Sequence, residues 1–155
     1  MERGVGLCEA GSLRPDVDNA PFHAVRLPYP TDSGRKVFLA KRLFSLVRSE
    51  HEALLLIDNW AVWPSSQHMP LFARFREALG EHRPLIEAPA HIVTLGEADD
   101  AVSIVATALL FFWDCYGVSD TGGEAFHISH DEYCSFASRD VEHTARVAAE
   151  FAEFT

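Results

Sequence analysis

The sequence predicts an α/β sandwich in which about four helices cover a single mixed sheet that ends in a C-terminal antiparallel hairpin. Segments with the apolar spacing of helices alternate with short runs typical of strands, in the order β-α-β-α-β-α-β-β-α. One nearly all-apolar segment, about residues 98–113, is long enough for a helix and too short to span a bilayer. Because a helix that is apolar on most sides must be covered on most sides, we expect it at the centre of the fold.

The chain divides into a loose N-terminal arm over residues 1–20 and a single globular domain over residues 21–155. The arm mixes charged residues and glycines without a period, whereas 155 residues with 48% hydrophobic content suffice for one independent core. The three cysteines lack CxxC spacing, which favours a reducing compartment, and charged residues stand where a secretory signal needs an apolar segment. We therefore expect a cytoplasmic protein without a membrane segment.

The first third of the sequence predicts an edge strand and then an amphipathic helix. Phe22–Leu27 alternates weakly and stops at Pro28. An N-cap is available within Thr31–Ser33 for a helix over Arg35–Ser49, whose basic residues, Lys36 among them, we expect in solvent. The apolar stripe of this helix would contain Val37, Ala40, Leu43, Phe44, Leu46 and Val47.

The middle third predicts two strands with a helix between them. Ala53–Asp58 is a continuous apolar run typical of a central strand buried on both faces, and we expect it to continue to Trp63. Ser65 or its neighbour can cap the next helix. The apolar stripe and the glycine C-cap of that helix would be Leu71, Phe72, Phe75, Leu79 and Gly80. The second strand, His91–Leu95, overlaps Thr94–Glu97, a capping box that would start the central helix.

The last third predicts a hairpin and a final helix. Asp114–Ser119 and Ala125–Ser129 flank a turn that contains Gly122 and Gly123, which is typical of a β-hairpin. A helix over about Asp140–Phe154 would complete the domain. Its apolar stripe would contain Val141, Ala145, Ala148, Phe151 and Ala152.

The formal net charge of −10 lies entirely in the last third of the chain. Residues 1–96 contain eleven acidic residues and eleven Lys or Arg residues, whereas residues 97–155 contain twelve acidic residues against Arg139 and Arg146. Such a surface repels phosphate backbones, so we expect no nucleic-acid partner. It would attract a basic protein and speed the encounter, although solubility alone also accounts for it.

The densest polar cluster begins at His127 and has the sequence HISHDE. Two imidazoles and two carboxylates could hold a divalent metal, but His127 and His130 are three residues apart and would point to opposite faces of a strand. We therefore expect no metal and no cofactor. Ser129 and Glu132 have the spacing of a capping box, which predicts a short helix from about Tyr133. A recognition surface and a catalytic site are the alternatives.

A second polar cluster follows the strand end at Asp58 and extends to Ser66. Ligands often bind at such strand ends in α/β folds, next to the free N–H groups of a helix N-terminus. Trp60 and Trp63 would lie on opposite strand faces, one in the core and the other as a contact residue. The chain contains no GxGxxG, phosphate-loop or GxSxG motif. We therefore predict that binding, without a named reaction, involves Trp60, Trp63, Ser65, His130, Asp131 and Glu132.

No residue stands out as catalytic. The candidates are the histidines and acids that a single pocket could collect, namely His91, Asp114, His127, His130 and Asp131. An enzyme or a ligand-binding protein would bring at least three of these side chains within mutual reach.

Four short motifs resemble those of a group of small bacterial cytoplasmic α/β proteins with no assigned activity. The motifs are Trp-x-x-Trp-Pro-Ser, Glu-Ala-Pro-x-His, Trp-Asp and Ser-His-Asp-Glu-aromatic, at residues 60–66, 87–91, 113–114 and 129–133. The resemblance covers about residues 55–135 and implies a shared fold without naming a reaction. The size, acidity and predicted fold are also similar to those of immunity proteins that neutralise basic toxins.

Three functional hypotheses follow from these observations. The preferred one is a small acidic, non-catalytic interaction or regulatory module, immunity-like in character, that binds a basic partner protein. The first alternative is a small enzyme or a ligand- or metal-binding protein that uses the His/Asp cluster. The second alternative is a structural role as a homo-oligomer, with the apolar helix at residues 101–113 as the seam of a homodimer.

Overall fold

The computed structural model describes residues 5–7, 13–15, 21–48 and 51–152 of the chain. Two short strands, β1 (Val5–Leu7) and β2 (Leu13–Pro15), pair antiparallel within the segment that we expected to be a loose arm. The other residues of that segment lie outside the described part of the chain. None of the described helices is long and apolar enough to cross a membrane.

Six strands and four helices build the rest of the fold. The strands are β3 (His23–Leu27), β4 (Glu52–Asp58), β5 (Ala90–Thr94), β6 (Asp114–Ser119), β7 (Glu124–Ser129) and β8 (Tyr133–Ser138). The helices are α1 (Ser33–Val47), α2 (Met69–Ala78), α3 (Ala98–Phe111) and α4 (Val141–Phe151). The strands form one sheet in the order β3-β8-β7-β6-β4-β5, and the predicted sandwich with its single sheet, C-terminal hairpin and four helices is confirmed.

The sheet is entirely antiparallel and therefore not mixed as we expected. β5 and β6 each pair antiparallel with β4, so they run parallel to each other but are separated by it. The β-α-β order in the sequence thus produces no parallel pairing. β3 forms one edge of the sheet beside β8, which confirms the predicted edge strand.

The largest difference from the sequence prediction is β8, which we expected to be a short helix. Ser129 and Glu132 do not form a capping box; they close a tight turn in which the Glu132 N–H donates to the Ser129 carbonyl at 3.1 Å. β8 pairs with β7 on one side and with β3 on the other. Its alternate side chains Cys134, Phe136 and Ser138 are buried, which is the burial pattern of a strand.

All four helices pack on one face of the sheet and enclose the core there. That face carries the buried residues Leu55, Phe126 and Phe136, which contact the helical layer. Because strand side chains alternate, the residues between them point away from the helices. We call this second side of the sheet the second face.

The first helix buries four of the six residues of the predicted stripe, Ala40, Leu43, Phe44 and Val47. Asp32 is its N-cap, as expected, and accepts a hydrogen bond from the Arg35 N–H at 2.8 Å. Val37 is 47% exposed instead of buried, whereas Lys36, expected in solvent, is only 4% exposed. The buried face of α1 consists of Lys36, Leu39, Ala40, Leu43, Phe44 and Val47.

The apolar helix α3 lies inside the fold, as predicted. Thr94 and Glu97 form the expected capping box one short 3₁₀ turn before it. Its buried residues are Ala101, Ile104, Val105, Ala106, Ala108 and Leu109. The helix ends at Phe112, which has a left-handed backbone with φ of 56°, and Trp113 beyond it is fully buried. The chain therefore covers this apolar surface itself.

In α2 and α4 the buried side of the helix differs from the predicted apolar stripe. In α2, Phe72 is buried but Leu71 is 63% exposed; Gly80 follows with a φ of +88°, as expected of a C-cap. Ser65 does not cap a helix, because its hydroxyl donates to the Val62 carbonyl at 2.9 Å. In α4, the predicted stripe is wrong except for Phe151. The buried residues of α4 are Thr144, Val147 and Phe151.

Candidate functional site

The ends of β4 and β6 and the β7–β8 turn bring several predicted residues together. Asp58 and Asp114 lie directly opposite each other as the last pair of the β4–β6 ladder, and His130 lies in the adjacent turn. β4 stops at Asp58 rather than continuing to Trp63, because Asn59 adopts a left-handed conformation with φ of 45°. Of the five catalytic candidates, this end of the sheet collects Asp114, His130 and Asp131.

Asp114 and His130 form a directly bonded pair, which we call the dyad. Asp114 Oδ1 accepts from the His130 backbone N–H at 2.6 Å and lies 2.8 Å from the imidazole Nδ1. An ionised carboxylate can only accept, so the proton of this contact belongs to Nδ1. The hydrogen bond with Asp114 raises the pKa of His130 above its ordinary value, and the charges of Asp114 and Asp131 act in the same direction.

Asn59 completes the surroundings of the imidazole. Its side-chain amide lies 3.0 Å from His130 Nδ1, and its backbone N–H donates to Asp58 Oδ1 at 2.8 Å. Because Nδ1 already carries a proton, it cannot also accept one from an amide N–H. The structure places Asn59 Nδ2 at this position, so the contact adds no second hydrogen bond to Nδ1, and Asp114 accepts its proton. The other nitrogen, Nε2, is left facing Asp131, whose Oδ1 lies 3.6 Å away.

Three residues with unfavourable backbone conformations surround the dyad. Asn59, Phe112 and Glu132, with φ of 45°, 56° and 59°, are the only non-glycine residues with positive φ in the described part of the chain. For an L-residue such a conformation costs about 1–2 kcal/mol, and residues of this kind cluster at functional sites. Their convergence supports a functional role for this end of the sheet.

A cleft of about 300 Å³ opens beside the dyad. Its lining includes Trp63, Ser65, His68, Phe112, His130 and Glu132. Four of the six predicted binding residues are thus brought to one cleft. Trp63 is 73% exposed, and the Asp131 side chain, next to His130, is 72% exposed. Trp60 is half-buried against the core, so the two tryptophans differ as expected, although they lie in a turn and not on a strand.

Lys36, which we expected in solvent, is buried in this region of the fold. Its Nζ lies 3.9 Å from the centroid of the Phe112 ring and 4.9 Å from that of Tyr29. Tyr29 in turn donates to the Leu109 carbonyl at 2.9 Å, near the partly negative C-terminal end of α3. Burial lowers the pKa of Lys36, against which the charge of Glu132 acts. The helical spacing of Lys36 with Ala40, Leu43 and Val47 was the signal for this burial.

His127 lies on the second face of the sheet and outside the cleft. Its ring stacks on Tyr116 with centroids 4.4 Å apart and meets the edge of Tyr133 at 5.7 Å. Arg26 lies over the Tyr133 ring, with its Cζ 4.6 Å from the centroid. Burial lowers the pKa of His127, so the ring is neutral at pH 7. These contacts give His127 a packing role within a row of rings.

His91 belongs to a separate, structural cluster. Arg76, which is 2% exposed, donates through Nε to His91 Nε2 at 3.1 Å and through its other nitrogens to the carbonyls of Arg83 and Ala88. Burial first, and then the charge of Arg76, lowers the pKa of His91 to about 4. These bonds fasten the segment between α2 and β5. A cleft of about 390 Å³ lies beside it, lined by Phe72, Arg76 and Arg83 among others.

Within the described residues no group of three or more His, Cys, Asp and Glu side chains is arranged to hold a metal ion. Comparisons with protein-family models, with curated proteins and with solved structures find no match to this chain. The resemblance to small bacterial α/β proteins stays a prediction.

Proposed function

We propose that this chain is a small acidic interaction module that binds a basic protein partner through the surface around Trp63, Asp131 and Glu132. The observation that carries the proposal is the exposure of Trp63, at 73%, on the rim of a cleft that also contains Glu132. An indole so exposed leaves a large apolar area in water, and tryptophan is the residue most enriched among binding hot spots.

The charges around Trp63 determine which sign of charge the partner surface should carry. Glu132 is exposed and lines the same cleft, and Asp131 is exposed beside His130. Asp58 and Asp114 lie at the nearby strand ends. All four acids stand against the imidazoles of His68 and His130 and the buried ammonium of Lys36. A basic protein would gain from both the indole and the carboxylates, and the acidic surface would steer its approach. An immunity-like or regulatory role in a bacterial cytoplasm fits this chemistry.

Affinity capture with the tagged wild-type protein and with Trp63→Ala, in parallel, tests the proposal. We expect a basic protein to be retained by the wild type and lost with Trp63→Ala. Ile86→Ala serves as the control, because Ile86 is 77% exposed and lies outside the cleft. The association rate of the purified pair should fall at least about tenfold between low and high salt. A complex that forms equally fast at both salt concentrations would contradict an electrostatic role.

A second function, in a ligand-binding protein or a small enzyme, is favoured by the dyad itself. Asp114 fixes the tautomer and the orientation of His130, which is how carboxylates prepare an imidazole for proton transfer at its other nitrogen. The cleft beside it is of a size that holds small molecules. A metabolite that raises the melting temperature of the wild type but not of His130→Gln would support this function. Equal shifts in both proteins would exclude the dyad from the binding site.

A further inference from the structure

The cleft of about 390 Å³ beside Arg76 lies between α2 and the segment that follows this helix, and we call it the α2 cleft. One of its walls is a face of α2 whose residues recur at helical spacing: Met69, Phe72, Ala73, Arg76 and Glu77. The other wall is formed by residues 81–85. The α2 cleft shares no described residue with the cleft beside Trp63, so the two are separate cavities.

Arg76 lines the α2 cleft although its side chain is only 2% exposed, and it has donors to spare. A guanidinium carries five N–H groups, and the bonds to His91 Nε2 and to the carbonyls of Arg83 and Ala88 use one each. One N–H on each terminal nitrogen therefore has no acceptor among the described residues. Fastening the segment before β5 thus accounts for three donors and leaves two for a ligand.

The charge of Arg76 also has no counter-ion in the part of the chain that the structure describes. Its three acceptors are neutral, because two are carbonyls and the third is an imidazole whose pKa is lowered to about 4. The other charged groups of the lining are already paired, Arg83 with Glu81 and Glu77 with Arg74. Burial lowers the pKa of Arg76, and the charge of Glu81 offsets this only in part. A buried cation without an anion costs free energy that an anionic ligand would recover.

The remaining walls of the α2 cleft are mainly apolar. Met69, Phe72 and Leu85 are among the lining residues, and the last two are buried. The volume of the cleft falls in the range of small-molecule sites, about 300–1,000 Å³. An apolar ligand body would therefore leave water for these side chains while an acidic end meets the guanidinium.

We propose that the α2 cleft binds a small organic monocarboxylate, with its carboxylate on Arg76 and its apolar body against Met69, Phe72 and Leu85. A guanidinium matches the planar geometry of a carboxylate and forms charge-assisted hydrogen bonds with it. The proposal does not depend on the basic partner proposed above, because it uses a different cavity and a ligand of opposite charge.

Two features of the α2 cleft favour a carboxylate over a phosphate, which a guanidinium also binds. The single uncompensated charge of Arg76 matches a monoanion, whereas the carboxylates of Glu77 and Glu81 in the lining would repel a dianion more strongly. The apolar walls also offer no donors for the additional oxygens of a phosphate, which would lose water without replacement.

Titration of the ¹⁵N-labelled full chain with acetate, butyrate and hexanoate, followed by two-dimensional NMR, tests the proposal. We expect the largest shifts in α2, in residues 81–85 and at the Nε–H of Arg76. The dissociation constant should fall at least about fivefold from butyrate to hexanoate, because two further methylene groups are buried. Hexanamide, the neutral isostere of hexanoate, and inorganic phosphate should each bind at least about tenfold more weakly than hexanoate.

A matched pair of variants tests the location of the ligand. Ala73→Trp should weaken hexanoate binding at least about tenfold, because Ala73 is exposed on the cleft wall and an indole there fills the cavity. Ala78→Trp adds the same side chain to the same helix outside the described lining and should bind hexanoate like the wild type. Circular dichroism melts verify that both variants are folded. Arg76→Gln removes the three fastening bonds together with the charge, so hexanamide and not this variant tests the charge.

Four results would overturn the proposal. Hexanamide that binds as tightly as hexanoate removes the role of the Arg76 charge, and phosphate that does so removes the role of the apolar walls. Hexanoate binding that Ala73→Trp leaves unchanged places the ligand elsewhere on the protein. The absence of any shift with all three acids up to about 50 mM shows that the cleft takes no carboxylate.

Discussion

Asp114 and His130 are sixteen residues apart in the chain, yet the carboxylate Oδ1 lies 2.8 Å from the imidazole Nδ1. The same oxygen also accepts from the His130 backbone N–H, so it fixes both the main chain and the ring. The β7–β8 turn is thereby tied to the end of β6, and the cleft beside Trp63 acquires a rigid wall.

The dyad should make stability fall as the pH rises above the ordinary histidine pKa of about 6.5. The pKa of His130 is raised in the folded protein, so its contribution is fully present below the ordinary histidine pKa of about 6.5 and is lost as the pH rises through the raised value. Because the His130 ring is partly exposed, we expect the unfolding free energy to fall by at most about 1 kcal/mol. Urea unfolding across this range measures it.

His130→Gln is the matched variant for this measurement, because it keeps a polar side chain and does not titrate. It should remove the loss of stability that His130 causes above about pH 6.5 and leave the remaining pH dependence unchanged. A slope that persists in the variant would assign the effect to another group.

His91 should have the opposite effect, on the acid side. Its pKa is lowered to about 4, so its contribution to stability is present above about pH 6.5 and is lost as the pH falls toward 4. When the pKa shift of His91 is discounted for partial solvent access, the expected loss of unfolding free energy is about 2 kcal/mol. His91→Gln keeps an acceptor for Arg76 and should flatten acid unfolding. An unchanged acid limb would show that His91 is charged in the fold.

Two substitutions of Lys36 separate the free-energy cost of burying its charge from the stabilisation due to its packing. Lys36→Met keeps the length of the side chain and removes the ammonium, and replacing a buried charge in this way is often neutral or stabilising. Lys36→Ala leaves a cavity and should cost about 2–3 kcal/mol. Chemical denaturation of both variants decides the point. If Lys36→Met proves as costly as Lys36→Ala, the contact of the ammonium with Phe112 and Tyr29 is itself stabilising.

Gly117 should not tolerate a side chain. It lies opposite Phe126 in the β6–β7 pair, and a Cβ at this position would collide with the Phe126 ring. We expect Gly117→Ala to cost about 1–3 kcal/mol in unfolding free energy. Gly96→Ala is the control, because a Cβ there meets no atom within 4 Å. Phe126→Leu in the Gly117→Ala background should recover part of the loss.

The features that the sequence predicted well are those set by local chemistry. The Thr94–Glu97 capping box, the Asp32 N-cap and the Gly80 C-cap each depend on a few neighbouring residues, and all three form. The apolar length of α3 also sufficed to place it inside the fold, because nearly every side of it had to be covered.

The errors arose where a second interpretation of the same residues was available. Ser129–Glu132 fits both a capping box and a tight turn, and pairing of β8 with two strands decided for the turn. The stripe of α1 was right at Ala40, Leu43, Phe44 and Val47 but omitted Lys36, because a lysine was excluded from the buried face. The dyad could not be predicted from spacing, since it depends on the turn bringing His130 back to β6.

β3 and β8 are neighbours for their whole length, from His23 opposite Ser138 to Leu27 opposite Cys134. During synthesis on a ribosome, the first strand of the main sheet therefore waits with its edge unpaired until nearly the whole domain has emerged. The strands of the sheet cannot pair in the order in which they are translated. We therefore expect chaperones to protect the nascent chain until β7 and β8 have been synthesised.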